Sequence, residues 1–294
     1  MSALQRVPPY FDYLIEGFRS GAAGRHVHLG YWADGRHAFP VQGHDDPAFA
    51  RAQRRLDDRL VELASLTDGM AVLDAGCGFG GTLEQVNATY RRMSLCGVNV
   101  DPRQLAICET LVPVAGNTLE WREGDACSLP CADASFDRVL CVEAMFHFAS
   151  RRDFFVEAAR VLKPGGALVG SDVLVTPDAR QHESESFPIE AALDEGYGPW
   201  PDLWGTDADH AALARTAGLL PAAMHDVTAN VLPSHRFTTP DGADVRQPTR
   251  NTALRAALML RWLHEQGHLR YLCFRFDKPL DPQRSQSNNA AIRA

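Results

Sequence analysis

Val72-Leu-Asp-Ala-Gly-Cys-Gly-Phe-Gly-Gly81 is a short apolar strand that runs straight into glycines at 76, 78 and 80, with a helix-forming stretch behind them. Gly76 and Gly78 let the chain turn tightly and let a ligand approach the backbone, while Gly80 permits close packing of helix on strand. The strand ends in an acid, Asp74, positioned to meet a cationic amine. The spacing is Gly-x-Gly-x-Gly, not the Gly-x-Gly-x-x-Gly that seats a dinucleotide pyrophosphate on a helix N-terminus. A nicotinamide dehydrogenase is therefore disfavoured. Packing alone can also produce a glycine turn, so the flanking pattern has to decide.

From residue 70 onward, short apolar segments alternate with amphipathic ones. Strands read at 70–74, 95–100, 118–122, 137–142 and 167–175. Near-continuous apolar strands separated by helices mean a parallel sheet covered on both faces. A helix near 151–162 starts at Ser150, which pairs with Asp153 in the manner of a capping box, and stops at Lys163-Pro-Gly-Gly166. Then follow a helix near 207–217, a strand near 222–228, a long helix near 242–265 and a last strand at 269–277. Upstream, Phe11, Leu14, Ile15 and Phe18 keep helical spacing, as do Leu56, Leu60, Leu63 and Leu66. The organisation expected is a helical cap with an entrance loop over 1–66, an α/β domain over 67–280, and a disordered tail over 281–294. Residues 176–206, acidic and rich in proline, glycine and aromatics, read as an inserted lid or substrate loop.

Composition narrows the function classes. In 294 residues, 45 % hydrophobic, there is material for one large domain. The formal charge is −8 and the basic residues are scattered, which speaks against nucleic acid. No apolar run approaches the ~18 residues of a spanning helix, and the polar, proline-broken N-terminus is unlike a secretory signal. The cysteine count is seven, odd, with no Cys-x-x-Cys pair. Cys77, Cys96, Cys141 and Cys273 sit in apolar runs, so a reduced, cytoplasmic protein is expected. Nothing in the sequence signals an oligomeric state.

Asp74-Ala-Gly-Cys-Gly-Phe-Gly80 resembles the first motif of the class I S-adenosylmethionine-dependent methyltransferases, and four further stations follow in order. These are Gly97-Val-Asn-Val-Asp101, Glu123-Gly-Asp-Ala126, Leu129-Pro130 with Ser135-Phe-Asp137, and Val161-Leu-Lys-Pro-Gly-Gly166. The resemblance covers roughly 68–175 and implies a Rossmann-like, mostly parallel seven-stranded sheet with helices on both faces. It also implies S-adenosyl-L-methionine as cofactor. Asp74, Gly76, Gly78 and Gly80 would hold its methionine end, and Asp125 with the Ala126 amide its adenine. The position of the usual ribose-binding acid is Asn99, whose amide can still pair with hydroxyls; Asp101 is the alternative. His28-Leu-Gly-Tyr-Trp32 resembles an element of the tocopherol, cyclopropane-fatty-acid and sugar O-methyltransferase branches. There the resemblance implies a loop closing over the cofactor, with Tyr31 near the sulfonium; aromatic packing is the competing reading for Trp32. Glu143 is expected to contact the cofactor through its main chain.

Methyl transfer needs an aligned acceptor, a dry site and, for a hydroxyl, removal of a proton. Cys141-Val-Glu-Ala-Met-Phe-His147 leaves the fourth strand and Asp172 lies toward the end of its neighbour, so His147 oriented by Asp172 is the expected general base. The resembling sugar and natural-product enzymes use a His and an Asp at these stations. The competing reading makes both residues packing groups. Trp200 and Trp204, in Gly196-Tyr-Gly-Pro-Trp-Pro-Asp-Leu-Trp204, are expected to wall off an acceptor. His264-Glu-Gln-Gly-His268 fits the His-Glu-x-x-His pattern, but Gly267 stops the helix between the histidines, so no metal is expected. The expected activity is methyl transfer to a small molecule, at oxygen in natural-product metabolism. N-methylation of a small amine, C-methylation of an isoprenoid or acyl chain, and a silent cofactor-binding subunit are the alternatives.

Overall fold

The computed structural model describes residues 7–8, 10–33 and 47–280. The tail expected over 281–294 and residues 34–46, within the expected entrance loop, lie outside the described residues. Seven strands, β1 (Ala71–Ala75), β2 (Ser94–Asn99), β3 (Thr118–Glu123), β4 (Phe136–Val142), β5 (Leu162–Val175), β6 (Leu220–Asp226) and β7 (Leu269–Asp277), form one sheet. Its order is β3-β2-β1-β4-β5-β7-β6. The pairs β3–β2, β2–β1, β1–β4 and β4–β5 are parallel, and β7 runs antiparallel to both β5 and β6. Each strand expected from the sequence is present within a few residues.

The helices are α1 (Phe11–Arg19), α2 (Pro47–Ala64), α3 (Gly81–Thr89), α4 (Pro102–Cys108), α5 (Arg151–Val161), α6 (Ile189–Tyr197), α7 (Asp207–Thr216), α8 (Thr228–Val231), α9 (His235–Thr238) and α10 (Thr252–Glu265). They cover both faces of the sheet. Successive strand residues point to opposite sides, so Val72 packs with Leu56, Leu60 and Leu83 while Leu73 packs with Phe154, Phe155 and Ala214. Burial on both faces is what makes the central strands read as unbroken apolar runs. The α1 stripe buries Ile15 against Phe79 and Ile107 beside the glycine turn. No helix among the described residues is long and apolar enough to cross a membrane.

Two stretches depart from the sequence reading. The helix expected over 242–265 begins only at Thr252, where the Asn251 side chain accepts from the Leu254 amide at 3.0 Å. Pro240 and Pro248 keep the chain before it out of helix by removing donors. Residues 176–206, expected as a loop, contain a 3₁₀ turn over Pro177–His182 and α6. Its Ile189, Ala192 and Leu193 are buried. Gly196 lets α6 press against α10: a Cβ there would lie 2.3 Å from Ala256 Cβ and 2.5 Å from the Thr252 carbonyl oxygen.

That contact gives α6 a testable signature. In an exposed helix, Gly→Ala stabilises by up to ~1 kcal/mol. Gly196→Ala is expected to do the reverse, costing about 1–3 kcal/mol as an overpacking change. Urea unfolding of the two proteins reads the sign directly.

Candidate active site

In a parallel sheet the loops beyond the carboxyl ends of the strands enclose the ligand. A cavity of about 1090 Å³ lies there. One end is built from residues just past the strands: Gly76 and Gly78 after β1, Asn99 at the end of β2, Asp125 and Ala126 after β3, and Glu143 after β4. The other end is formed by aromatic and apolar side chains, including Tyr10, Phe146, Tyr197, Trp200 and Leu254, together with His147.

The glycine turn is shaped by close approach. Gly76 has φ +78°, and a Cβ on it would sit 2.6 Å from Ala144 Cβ. Gly78 has φ +53° and faces Val27. Gly80, in contrast, lies outside the cavity lining; it packs toward Trp121 and Leu111 at the start of α3. Asp74 also lies behind the lining, only 2 % exposed, and its Oδ1 has no hydrogen-bond partner. Burial and the neighbouring Asp57 carboxylate push its pKa up to about 7, with His28 pulling the other way. Such a group is stabilised by any cation brought near it.

Asn99 donates to Gln104 Oε1 at 3.0 Å and accepts the Asp101 amide at 3.1 Å. Gln104 lines the cavity with an unpartnered Nε2. The sequence reading missed it, because a glutamine in the first turn of a helix carries no motif. Asp101, the alternative ribose contact, caps α4 through the Arg103 amide and pairs with the Arg103 guanidinium at 2.8 Å. Its carboxylate is thus already engaged. Asp125 accepts the Cys127 amide at 2.8 Å, which fixes the loop that carries it. Glu143, at φ +47°, donates its amide to Ser171, and its carboxylate accepts from Tyr271 Oη at 2.6 Å and the Leu29 amide at 2.9 Å. The side chain ties the entrance segment to β7.

Three expectations are corrected. Asp172 does not hold His147. Its Oδ2 accepts from Arg151 Nε at 2.7 Å and lies 2.9 Å from His210 Nε2, and its Oδ1 accepts the Val173 amide. A fully buried guanidinium needs a carboxylate more than a neutral imidazole does. His147 Nε2 is instead 2.7 Å from the Tyr10 hydroxyl, a partner on the N-terminal cap that no motif announces. Burial drives the His147 pKa down to about 3, against smaller opposing effects of Asp172 and the Pro199 carbonyl. Its ring is neutral at physiological pH. Tyr31 is not in the cavity lining: the Arg59 guanidinium covers its ring at 4.4 Å, and His26, Val27 and His28 take the wall. Trp32 stacks on Phe237 at 5.3 Å, which is the packing reading. Trp204 also faces elsewhere, under Arg180 at 5.0 Å, whereas Trp200 lines the cavity and packs on Phe146 at 4.4 Å. His264 and His268 find separate partners, His235 at 3.0 Å and Asp178 at 3.0 Å.

Comparisons with known proteins agree in kind. A family model described as a methyltransferase domain matches residues 73–170. The chain is 34% identical over 173 residues to methyltransferase GfsG of Streptomyces halstedii, spanning 58% of this chain and 59% of that protein. It is 30% identical over 213 residues to 27-O-demethylrifamycin SV methyltransferase of Amycolatopsis mediterranei, 72% of each chain. Among solved structures it resembles the mycolic acid cyclopropane synthase CmaA1 complexed with SAH and CTAB, with TM-score 0.75, 15% identity, and coverage of 94% of this chain and 98% of that one.

The depressed His147 pKa has a consequence for stability. Between about 3 and the unfolded value near 6.5 the unfolded chain binds a proton at this residue and the folded chain does not. Folding stability is then lost as pH falls through that window. At pH 5 the loss assigned to His147 is on the order of 2 kcal/mol. Urea unfolding at pH 5 and pH 8 should show it as a steeper pH dependence in the wild type than in His147→Asn.

Proposed function

The chain belongs to the class I S-adenosylmethionine-dependent methyltransferases, and we propose that it methylates a hydroxyl of an apolar small molecule from natural-product metabolism. The cofactor fits the residues present. The glycine cradle, the unpartnered Asp74 oxygen and the unpartnered Gln104 amide suit a ligand with a cationic amine at one end and sugar hydroxyls farther along. Gly76, Gly78, Asp74, Asn99, Gln104 and Asp125 would hold it. When bound, it supplies a methyl group already activated on a sulfonium. The cavity exceeds the upper end of the ~300–1,000 Å³ usual for a single drug-sized ligand, which leaves the aromatic end for an acceptor.

The observation that carries the choice of oxygen is His147, a neutral imidazole in the wall of that end. A base this weak does not make an alkoxide in advance. It can take the proton as the C–O bond forms, because the acceptor oxygen becomes strongly acidic at that moment. The proton passes to Nε2 from a hydroxyl that takes the place of Tyr10 there. Trp200, Phe146 and Tyr197 would orient the acceptor and exclude water. The Amycolatopsis relative, named for a methylation at oxygen, supports the same reading.

The experiment is transfer of labelled methyl groups from the cofactor to a panel of hydroxyl- and amine-bearing metabolites. O-methylated product is expected, and His147→Ala should lower kcat roughly 10²–10⁴-fold with the KM for cofactor nearly unchanged. A product methylated at nitrogen or carbon, made at close to wild-type rate by His147→Ala, would contradict it.

A further inference from the structure

At the rim of the glycine turn lies a cluster that the methyl-transfer reading does not use. His26 and His28 line the cavity, and Asp57 stands behind them on α2 with no exposed surface. One ligand atom from each residue lies within 4.8 Å of the other two. The ion-pair separations are 2.9 Å from His26 Nδ1 to Asp57 Oδ2 and 3.3 Å from His28 Nε2 to Asp57 Oδ1. His26 Nδ1, His28 Nε2 and Asp57 Oδ2 are buried and face one another at ion-pair distance, with no other hydrogen-bond partner. We propose that these three side chains bind a divalent first-row transition ion, zinc in the first place.

A carboxylate buried against two imidazoles needs positive charge between them, and a bound cation supplies it to all three side chains at once. A tetrahedral zinc ion sets its nitrogen and oxygen ligands about 3.3 Å apart, close to the separations already present. The supporting contacts are those a metal site requires. His28 Nδ1 donates to the Leu29 carbonyl at 2.8 Å, so Nε2 is the ring atom turned toward Asp57. The Thr82 hydroxyl donates to Asp57 Oδ1 at 3.2 Å from the first turn of α3. His26 and His28 are two residues apart, the spacing that puts both on one side of an extended chain, while Val27 packs toward Gly78. Two imidazoles and one carboxylate suit zinc and its neighbours better than magnesium or calcium, which prefer oxygen. Three protein ligands leave a fourth position for water. The ion would clamp the entrance segment onto α2, beside the glycine turn.

The untagged chain, purified in chelator-free buffer and dialysed, is analysed for metal by mass spectrometry and then loaded with Co²⁺. A single zinc per chain is expected, with the intense visible bands of tetrahedral cobalt after exchange. Both should be lost in His28→Gln and in Asp57→Ala, with far-ultraviolet circular dichroism as the check on folding. Should either variant fail to fold, the wild-type cobalt spectrum decides. A wild type that retains no zinc and leaves cobalt with its weak aqueous spectrum would overturn the site.

Discussion

A single buried carboxylate, Asp172, joins four parts of the molecule. It sits on β5 with no exposed surface and holds Arg151, at the start of α5, and His210, on α7. Arg151 in turn bonds Asp202 and the Val173 carbonyl, so the segment after α6 is anchored to the same point. Breaking a buried ion pair of this kind leaves an uncompensated charge and typically costs 3–5 kcal/mol. The cavity wall therefore rests on an electrostatic joint as well as on apolar packing. Because that joint consumes Asp172, the imidazole of His147 is left in apolar surroundings with a tyrosine for a partner.

This division of labour separates the cavity into two chemical halves. The half over the strand ends has an unpartnered polar atom in its wall, on Gln104, and another just behind it, on Asp74, and its backbone is opened by Gly76 and Gly78. The other half is made of rings. Phe146, His147, Tyr197 and Trp200 pack edge to face, tilted or, for Tyr197 on Trp200, stacked, with centroids 4.1–6.3 Å apart. A methyltransferase needs that contrast: fixed polar groups for the cofactor, and a dry wall where the methyl group moves.

The sheet was legible because its signal is local. Strands buried on both faces read as apolar runs, and Ser150 and the glycine turn mark the ends of their elements. The wall of the cavity was less legible, for physical reasons. Tyr10 meets His147 across 137 positions of chain, a pairing that only the folded cap creates. Arg151 looks like any solvated helix-start arginine until the structure shows it 3 % exposed against Asp172. Tyr31 and Trp204 carried the right residue type in the right segment, but side-chain direction is set by tertiary packing, and arginines cover both rings. Gln104 has no pattern around it; only its unpartnered amide singles it out.

Calorimetric titration with S-adenosylhomocysteine shows whether the strand-end half of the cavity holds the adenosyl cofactor. One-to-one binding is predicted for the wild type. Asp125→Ala removes a charge-assisted hydrogen bond, typically ~1.5–3 kcal/mol, and should weaken binding at least tenfold. A wild type that does not bind, or an Asp125→Ala variant that binds with unchanged affinity, would rule out this placement of the cofactor.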